Sequence, residues 1–195
     1  MKDLWYGDRR DRVKWGGLIY LAESHEIRTI LQVVYLRTHD KRELNCGNSR
    51  HFLSEAVWAH FSNLKDIQRL AQACNLTISV FDNSFDPTRR RDYIREVISE
   101  LSRIGRSKIL FLDPDTGISI KSTKAQYVIG RDIEELWKIL KQRDILAVYQ
   151  HGDHSKDWLN RKIDEFERAI GSDLVESIVC PDVAKDVAIM WCKKA

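Results

Sequence analysis

Long apolar runs are missing from this chain. None approaches the ~20 residues that a membrane-spanning helix needs, so no membrane partner is expected. Metal-type cysteine spacing is missing as well: Cys46, Cys74, Cys180 and Cys192 lie far apart with no C-x-x-C pair. That argues against a zinc site. The start, Met1 to Trp5, shows no signal-peptide core, so a disulfide framework is not expected either and a cytoplasmic location is. With three prolines and nine glycines there is no low-complexity linker, and no internal repeat is visible. A single domain spanning 1–195 is expected, long enough to bury about 70% of its unfolded surface. Strong charge of one sign is absent too. A formal charge of +3 does not by itself indicate a nucleic-acid partner, but Arg9, Arg10, Arg12 and Lys14, and later Arg89, Arg90 and Arg91, form local basic clusters.

What the chain does have is a buried strand ending in two acids. Ile109, Leu110, Phe111 and Leu112 form a continuous apolar run flanked by helical segments, the pattern of a central strand in an α/β sheet. Pro114 has no N–H to give and Gly117 permits a positive φ, so the strand stops at Asp113 and the chain turns. In such sheets ligands sit beyond the carboxyl ends of the strands, which places Asp113, Asp115 and the Thr116-Gly117 turn at a site. The alternative is an Asp-Pro turn with solvated carboxylates.

The remaining elements follow from periodicity. Asp8 to about Glu23 reads as a helix with Asp8 as N-cap. Gly16 and Gly17 inside it cost roughly 1 kcal/mol each against alanine, which points to a kink, close packing or a break. Thr29 to Leu36 is a strand and the polar stretch Arg37 to Arg50 a long loop of about fourteen residues. Phe52 to Cys74 carries two helical patterns broken near Ser62-Asn63, a helical insertion at about 51–75. Leu76 to Phe81 is a strand ending at Asp82. Asp86-Pro87 opens a helix striped with Ile94, Val97, Ile98 and Leu101, its first turn crowded by Arg89, Arg90 and Arg91. Those cations stand at the positive end of the macrodipole, and are either solvated or offset by an anion.

After the central strand, Ile118 to Val128 reads as a loop and Arg131 to Lys141 as a helix. Ile145 to Tyr149 is a second buried strand ending in Gln150-His151-Gly152. Ser155 to Ile170 is a helix stopped by Gly171. Val175 to Val179 and Val187 to Trp191 are strands with no room for a crossover helix between them, so they should pair antiparallel or lie beside each other at one edge. The expected fold is therefore α/β: a Rossmann-like, mostly parallel sheet with helices on both faces and a closing antiparallel strand pair.

Several residues stand in the order of known motifs. Gly7, Asp8, Asp11, Lys14 and Trp15 match a G-N-x-x-D-x-x-K-H pattern, and Tyr35, Leu36, Thr38 and His39 match a strand end reading Y-L-D-T-H. Asp82 closes the next strand, and Asp113-Pro114 begins like D-P-P-Y. On these residues the chain resembles the bacterial enzymes that methylate adenine N6 in 23S ribosomal RNA, within the class I methyltransferase fold. The resemblance implies S-adenosylmethionine as cofactor, bound through Lys14, His39 and Asp82, with Asp113 at a target amino group and nucleic acid as partner. Asp40, Lys41 and Arg42 replace that family's glycines and Arg37 replaces an acid, so weak or absent cofactor binding is expected. Asp115-Thr116-Gly117 brings a second carboxylate where the family has an aromatic ring.

A second reading comes from the residues alone. Asp113 and Asp115 end one strand and His151 ends another that should lie about 5 Å away. Two carboxylates and an imidazole can hold Mg or Mn, which would activate water against a phosphodiester in a metal-dependent nuclease or phosphohydrolase; Asp153 and His154 would assist. A third reading is a catalytically inactive protein of the same fold that binds nucleic acid or protein.

Overall fold

The computed structural model describes residues 8–36, 67–120, 122–153 and 155–195, together with the backbone pairing of 43–46 and 49–52. The chain opens with helix α1, Arg9–Ser24, whose N-cap Asp8 accepts from the Arg10 and Asp11 amides. The helix runs unbroken through its two glycines. Gly17 is there for close packing: a Cβ would stand 3.4 Å from Ile178 and Ile189. Strand β1, Thr29–Val33, follows, fully buried.

The stretch expected to be loop holds a hairpin, β2 (Glu43–Cys46) against β3 (Ser49–Phe52), so Phe52 belongs to a strand and not to a helix. Helix α2 is Ile67–Ala73; the first helix of the expected insertion falls on 53–66, outside the described residues. Strand β4 is Thr77–Phe81, and a 3₁₀ turn over Pro87–Arg89, capped by Asp86, leads into α3, Arg90–Arg103. Strand β5 is Ile109–Leu112.

The expected 118–128 loop instead carries two short strands, β6 (Gly117–Ser119) and β7 (Tyr127–Ile129), which pair in parallel. Helix α4 is Gly130–Ile139, β8 is Ile145–His151, and α5 is Trp158–Ile170, ended by Gly171 in the left-handed conformation at φ 67°. Strand β9, Glu176–Cys180, a four-residue helix α6, Pro181–Ala184, and β10, Lys185–Lys193, complete the chain.

The main sheet has the order β4-β1-β5-β8-β10-β9. Strands β4, β1, β5 and β8 are parallel neighbours, with Ile30 opposite Ile78 and Ile109, and Ile109 opposite Ile145. Strand β10 runs antiparallel to both β8 and β9. The Rossmann-like expectation holds, down to the closing antiparallel strand pair.

The two-residue period of the strands divides the core into two layers. Ile30, Ile109, Phe111 and Ile145 pack with Leu18 and Leu21 of α1 and Ile67 of α2. Leu31, Leu110, Leu112 and Val148 pack on the opposite face with Val97 of α3, Leu136 of α4 and Phe166 of α5. No helix among the described residues is long and apolar enough to cross a membrane.

The basic triplet is not uniformly solvated. Arg89 and Arg91 are exposed, but Arg90 is buried, pairing with Asp132 and donating to the carbonyls of Thr123, Lys124 and Tyr127. Its guanidinium lies 4.7 Å from the Phe85 ring centre. Arg90 thereby ties the segment between β6 and β7 onto α3.

Candidate functional site at the carboxyl ends of the strands

Strand order reverses at β1, which has β4 on one side and β5 on the other, so the switch point of the sheet lies between β1 and β5. Asp113 stands there. Its amide donates to the Val33 carbonyl at 2.9 Å and its carboxylate, 1% exposed, accepts from Gln32 Nε2 at 2.7 Å and Lys14 Nζ at 3.1 Å. Lys14 is buried as well. Its ammonium also meets Asp11 at 2.8 Å and lies 5.1 Å from the centre of the Tyr149 ring. Burial alone would push the Lys14 pKa down, but Asp113 and Asp11 outweigh it and hold the ammonium above its ordinary value. Asp113 is therefore an anchoring carboxylate, engaged by a cation and an amide, and differs from the solvated acid that one sequence reading allowed.

The Asp113–Gly117 turn is held from the next strand. Gln150 on β8 accepts from the Ile118 amide at 2.8 Å and donates to the Thr116 carbonyl at 3.1 Å. The His151 amide reaches that same carbonyl at 2.8 Å. Gly117 sits at φ 124°, and a Cβ there would fall 2.2 Å from Gln150 Oε1. Both constraints demand glycine.

His151 ends β8 half-buried. Its Nε2 is 3.7 Å from Asp186 Oδ2 at the start of β10. That oxygen accepts from Arg10 Nη2 at 2.6 Å and Nε at 3.2 Å, while the Asp186 carbonyl takes the Gly152 amide at 2.8 Å. Two occluded atoms of this group, His151 Nδ1 and Asp186 Oδ1, make no hydrogen bond. Burial, then the Arg10 charge, pushes the His151 pKa down against the opposing pull of Asp186. The Arg10 hydrogen bond leads the effects that hold Asp186 below the usual carboxylate range. Tyr149, between the two clusters, is pushed up to about 12 by burial first.

The structure thus brings Lys14 and Asp113 into contact and sets His151 beside the turn that carries Asp115. It does not gather Asp113, Asp115 and His151 into a metal centre. Among the described residues no group of three or more His, Cys, Asp or Glu is placed to hold a metal ion. The physical reason is that Asp113 points into the lysine cluster while His151 engages Asp186. Asp153 is exposed and paired with Arg161. His39, Asp40, Lys41, Arg42 and His154 lie outside the described residues.

Asp82 follows β4, on the far side of β1 from Asp113. It is exposed and lines an open cleft of about 430 Å³ with Phe81, Asn83, Glu96 and Arg103. Beyond it the β1 and β4 segments touch again, through a Leu36–Ser84 bridge and the Phe85 amide on the Leu36 carbonyl at 2.7 Å. A cleft of that size falls in the range of small-molecule and cofactor sites.

Sequence reading missed Gln32, Gln150, Arg10 as an ion-pair partner, and Asp186. For the glutamines a signal existed: Gln32 interrupts the apolar Thr29–Leu36 run, and Gln150 ends the Ile145–Tyr149 run. A polar residue in a strand buried on both faces needs a partner. Asp186 carries no comparable mark.

No family model matches the sequence, and no curated protein matches it. Among solved structures the chain is similar to a DUF574 family protein from Streptomyces avermitilis MA-4680, at 13% identity over 96% of this chain and 82% of that one, with a TM-score of 0.44. It is also similar to a “putative methyltransferase” from Thermobifida fusca YX, at 15% identity over 96% of this chain and 81% of that one, with a TM-score of 0.47. Likenesses this distant say nothing of chemistry. The fold stands on the strand order itself.

Proposed function

We propose that this chain is a methyltransferase-like protein that binds S-adenosylmethionine across the carboxyl edge of its sheet and acts on nucleic acid. The observation that carries this reading is the placement of two acids. Asp113 ends β5 at the switch point and Asp82 ends β4 on the other side of β1, in a Rossmann-like sheet whose last strand is antiparallel. The residues described fit the cofactor: Asp82 offers an exposed carboxylate at the carboxyl edge, beside an open cleft of about 430 Å³ that follows β4 and α3, and carboxylates outnumber cations among Asp11, Lys14, Asp113, Arg10 and Asp186, which suits a sulfonium. When bound, the cofactor supplies an activated methyl group. Lys14 and Gln32 hold Asp113, and so the floor of the site, in place.

The D-P-P-Y resemblance would put Asp113 at the target amino group. Because its carboxylate is already engaged by Lys14 and Gln32, we assign it the supporting role and leave contact with the acceptor to the half-exposed His151 side of the turn. Calorimetric titration with S-adenosylmethionine tests the proposal. Saturable binding with a Kd of about 10⁻⁴ M, or about 5.5 kcal/mol, is expected, weakened at least tenfold by Asp82→Ala. Absence of saturable binding at millimolar cofactor would overturn the enzymatic reading and favour an inactive binding protein of this fold.

A further inference from the structure

The group formed by Arg10, His151 and Asp186 joins three elements far apart in the chain, α1, β8 and β10, at the edge where the site lies. It is built as a hierarchy. Arg10 grips Asp186 Oδ2 with two donors, at 2.6 and 3.2 Å, so the carboxylate has little freedom. The Gly152 amide on the Asp186 carbonyl ties the same residue to the end of β8. Against this fixed carboxylate the imidazole stands 3.7 Å away, near enough to be oriented by its charge and too far for a direct hydrogen bond. A hydroxyl seated to one side of the pair, within hydrogen-bond reach of both atoms, can accept from the Nε2–H and donate to the carboxylate.

We infer that Asp186 and Arg10 are positioning residues for His151, holding the imidazole with its proton on Nε2 so that a hydroxyl group of a nucleoside acceptor bridges Nε2 and Asp186 Oδ2 from the side. The inference rests on the proposed reading of this edge as the active one. Among the described residues, the charged groups around the imidazole are Arg10 from α1 and Asp186 from β10; Asp115 lies in the adjoining turn, and Asp153, farther along the chain, is paired with Arg161. A carboxylate beside Nε2 favours the proton on that nitrogen, while burial first and then the Arg10 charge disfavour the imidazolium.

Nuclear magnetic resonance of the full chain, with nitrogen-15 in its six histidines, reads the tautomer directly, His151 being assigned by the signal lost in His151→Gln. The expected result without any ligand is Nε2–H. Asp186→Asn should then mix the tautomers and lower the His151 pKa, while Arg10→Met should raise it. Adenosine at millimolar concentration should shift the His151 signals in the wild type, with an affinity at least tenfold weaker in Asp186→Asn. An Nδ1–H imidazole, or a titration unmoved by both substitutions, overturns the positioning role. Adenosine leaving His151 unmoved overturns the acceptor subsite. Arg10→Met keeps the question open to refutation should Asp186→Asn fail to fold. None of these readings needs S-adenosylmethionine, so failure of cofactor binding is scored separately.

Discussion

The Lys14 cluster beneath the end of β5 and the His151 cluster beside the end of β8 use similar residue types on neighbouring strands, yet they are finished differently. Lys14 is 4% exposed and meets two carboxylates, and Asp113 accepts both from it and from Gln32. In the second cluster the Arg10, His151 and Asp186 side chains are 35%, 31% and 28% exposed, the imidazole falls short of a hydrogen bond, and two atoms lack partners. Buried charge persists only when matched, because each unmatched ion costs several kcal/mol. Charge at the rim is screened by water and can be left incomplete for a ligand to finish. The contrast separates the part of the site that holds shape from the part able to meet a substrate.

The largest effect should come from removing the shared cation. Lys14→Met leaves Asp11 and Asp113 facing each other in the core, and a loss of about 3–5 kcal/mol is expected, read by urea unfolding. Asp113→Asn, which leaves Lys14 paired with Asp11, should cost about 1–3 kcal/mol. If both variants unfold like the wild type, the buried cluster is not matched charge and the contrast collapses.

A middle effect should appear only in alkali. Tyr149 titrates near 12 when folded against about 10 when unfolded, so the unfolded chain loses the proton first. Stability contributed by this group is complete below pH 10 and falls as pH rises from about 10 to 12. Tyr149→Phe should flatten that part of the pH–stability curve; the same slope in both proteins would mean that burial does not hold the proton on the Tyr149 hydroxyl.

The smallest effect belongs to the rim. Asp186→Asn and His151→Asn should each change stability by less than about 1 kcal/mol, as for exposed ion pairs, in contrast to Lys14→Met. A loss comparable to that of Lys14→Met would make the rim cluster structural and sharpen the comparison against its proposed role.

Much of the architecture was legible because it depends on local pattern. The runs Ile109–Leu112 and Ile145–Tyr149 read as buried strands and are adjacent and parallel; Asp8 read as a cap and is one. The β2–β3 hairpin and the three-residue strands β6 and β7 escaped because their stretches are polar or too short to show a period. Arg90 escaped because Arg89 and Arg91 beside it have the same side chain and stay exposed. Which of three successive arginines turns inward is decided by Asp132 and the carbonyls waiting on another element.

The site divides along the same line. Sequence alone determined that an acid would end the central strand and that glycine would follow it in a turn, since an apolar run, a proline and a positive φ act over a few residues. Tertiary structure alone decided what that acid does. Lys14 reaches Asp113 across 99 positions of chain and Arg10 reaches Asp186 across 176. A carboxylate carries no mark of the partner it will meet, and its charge becomes structural or available only when folding removes its water and supplies, or withholds, a cation.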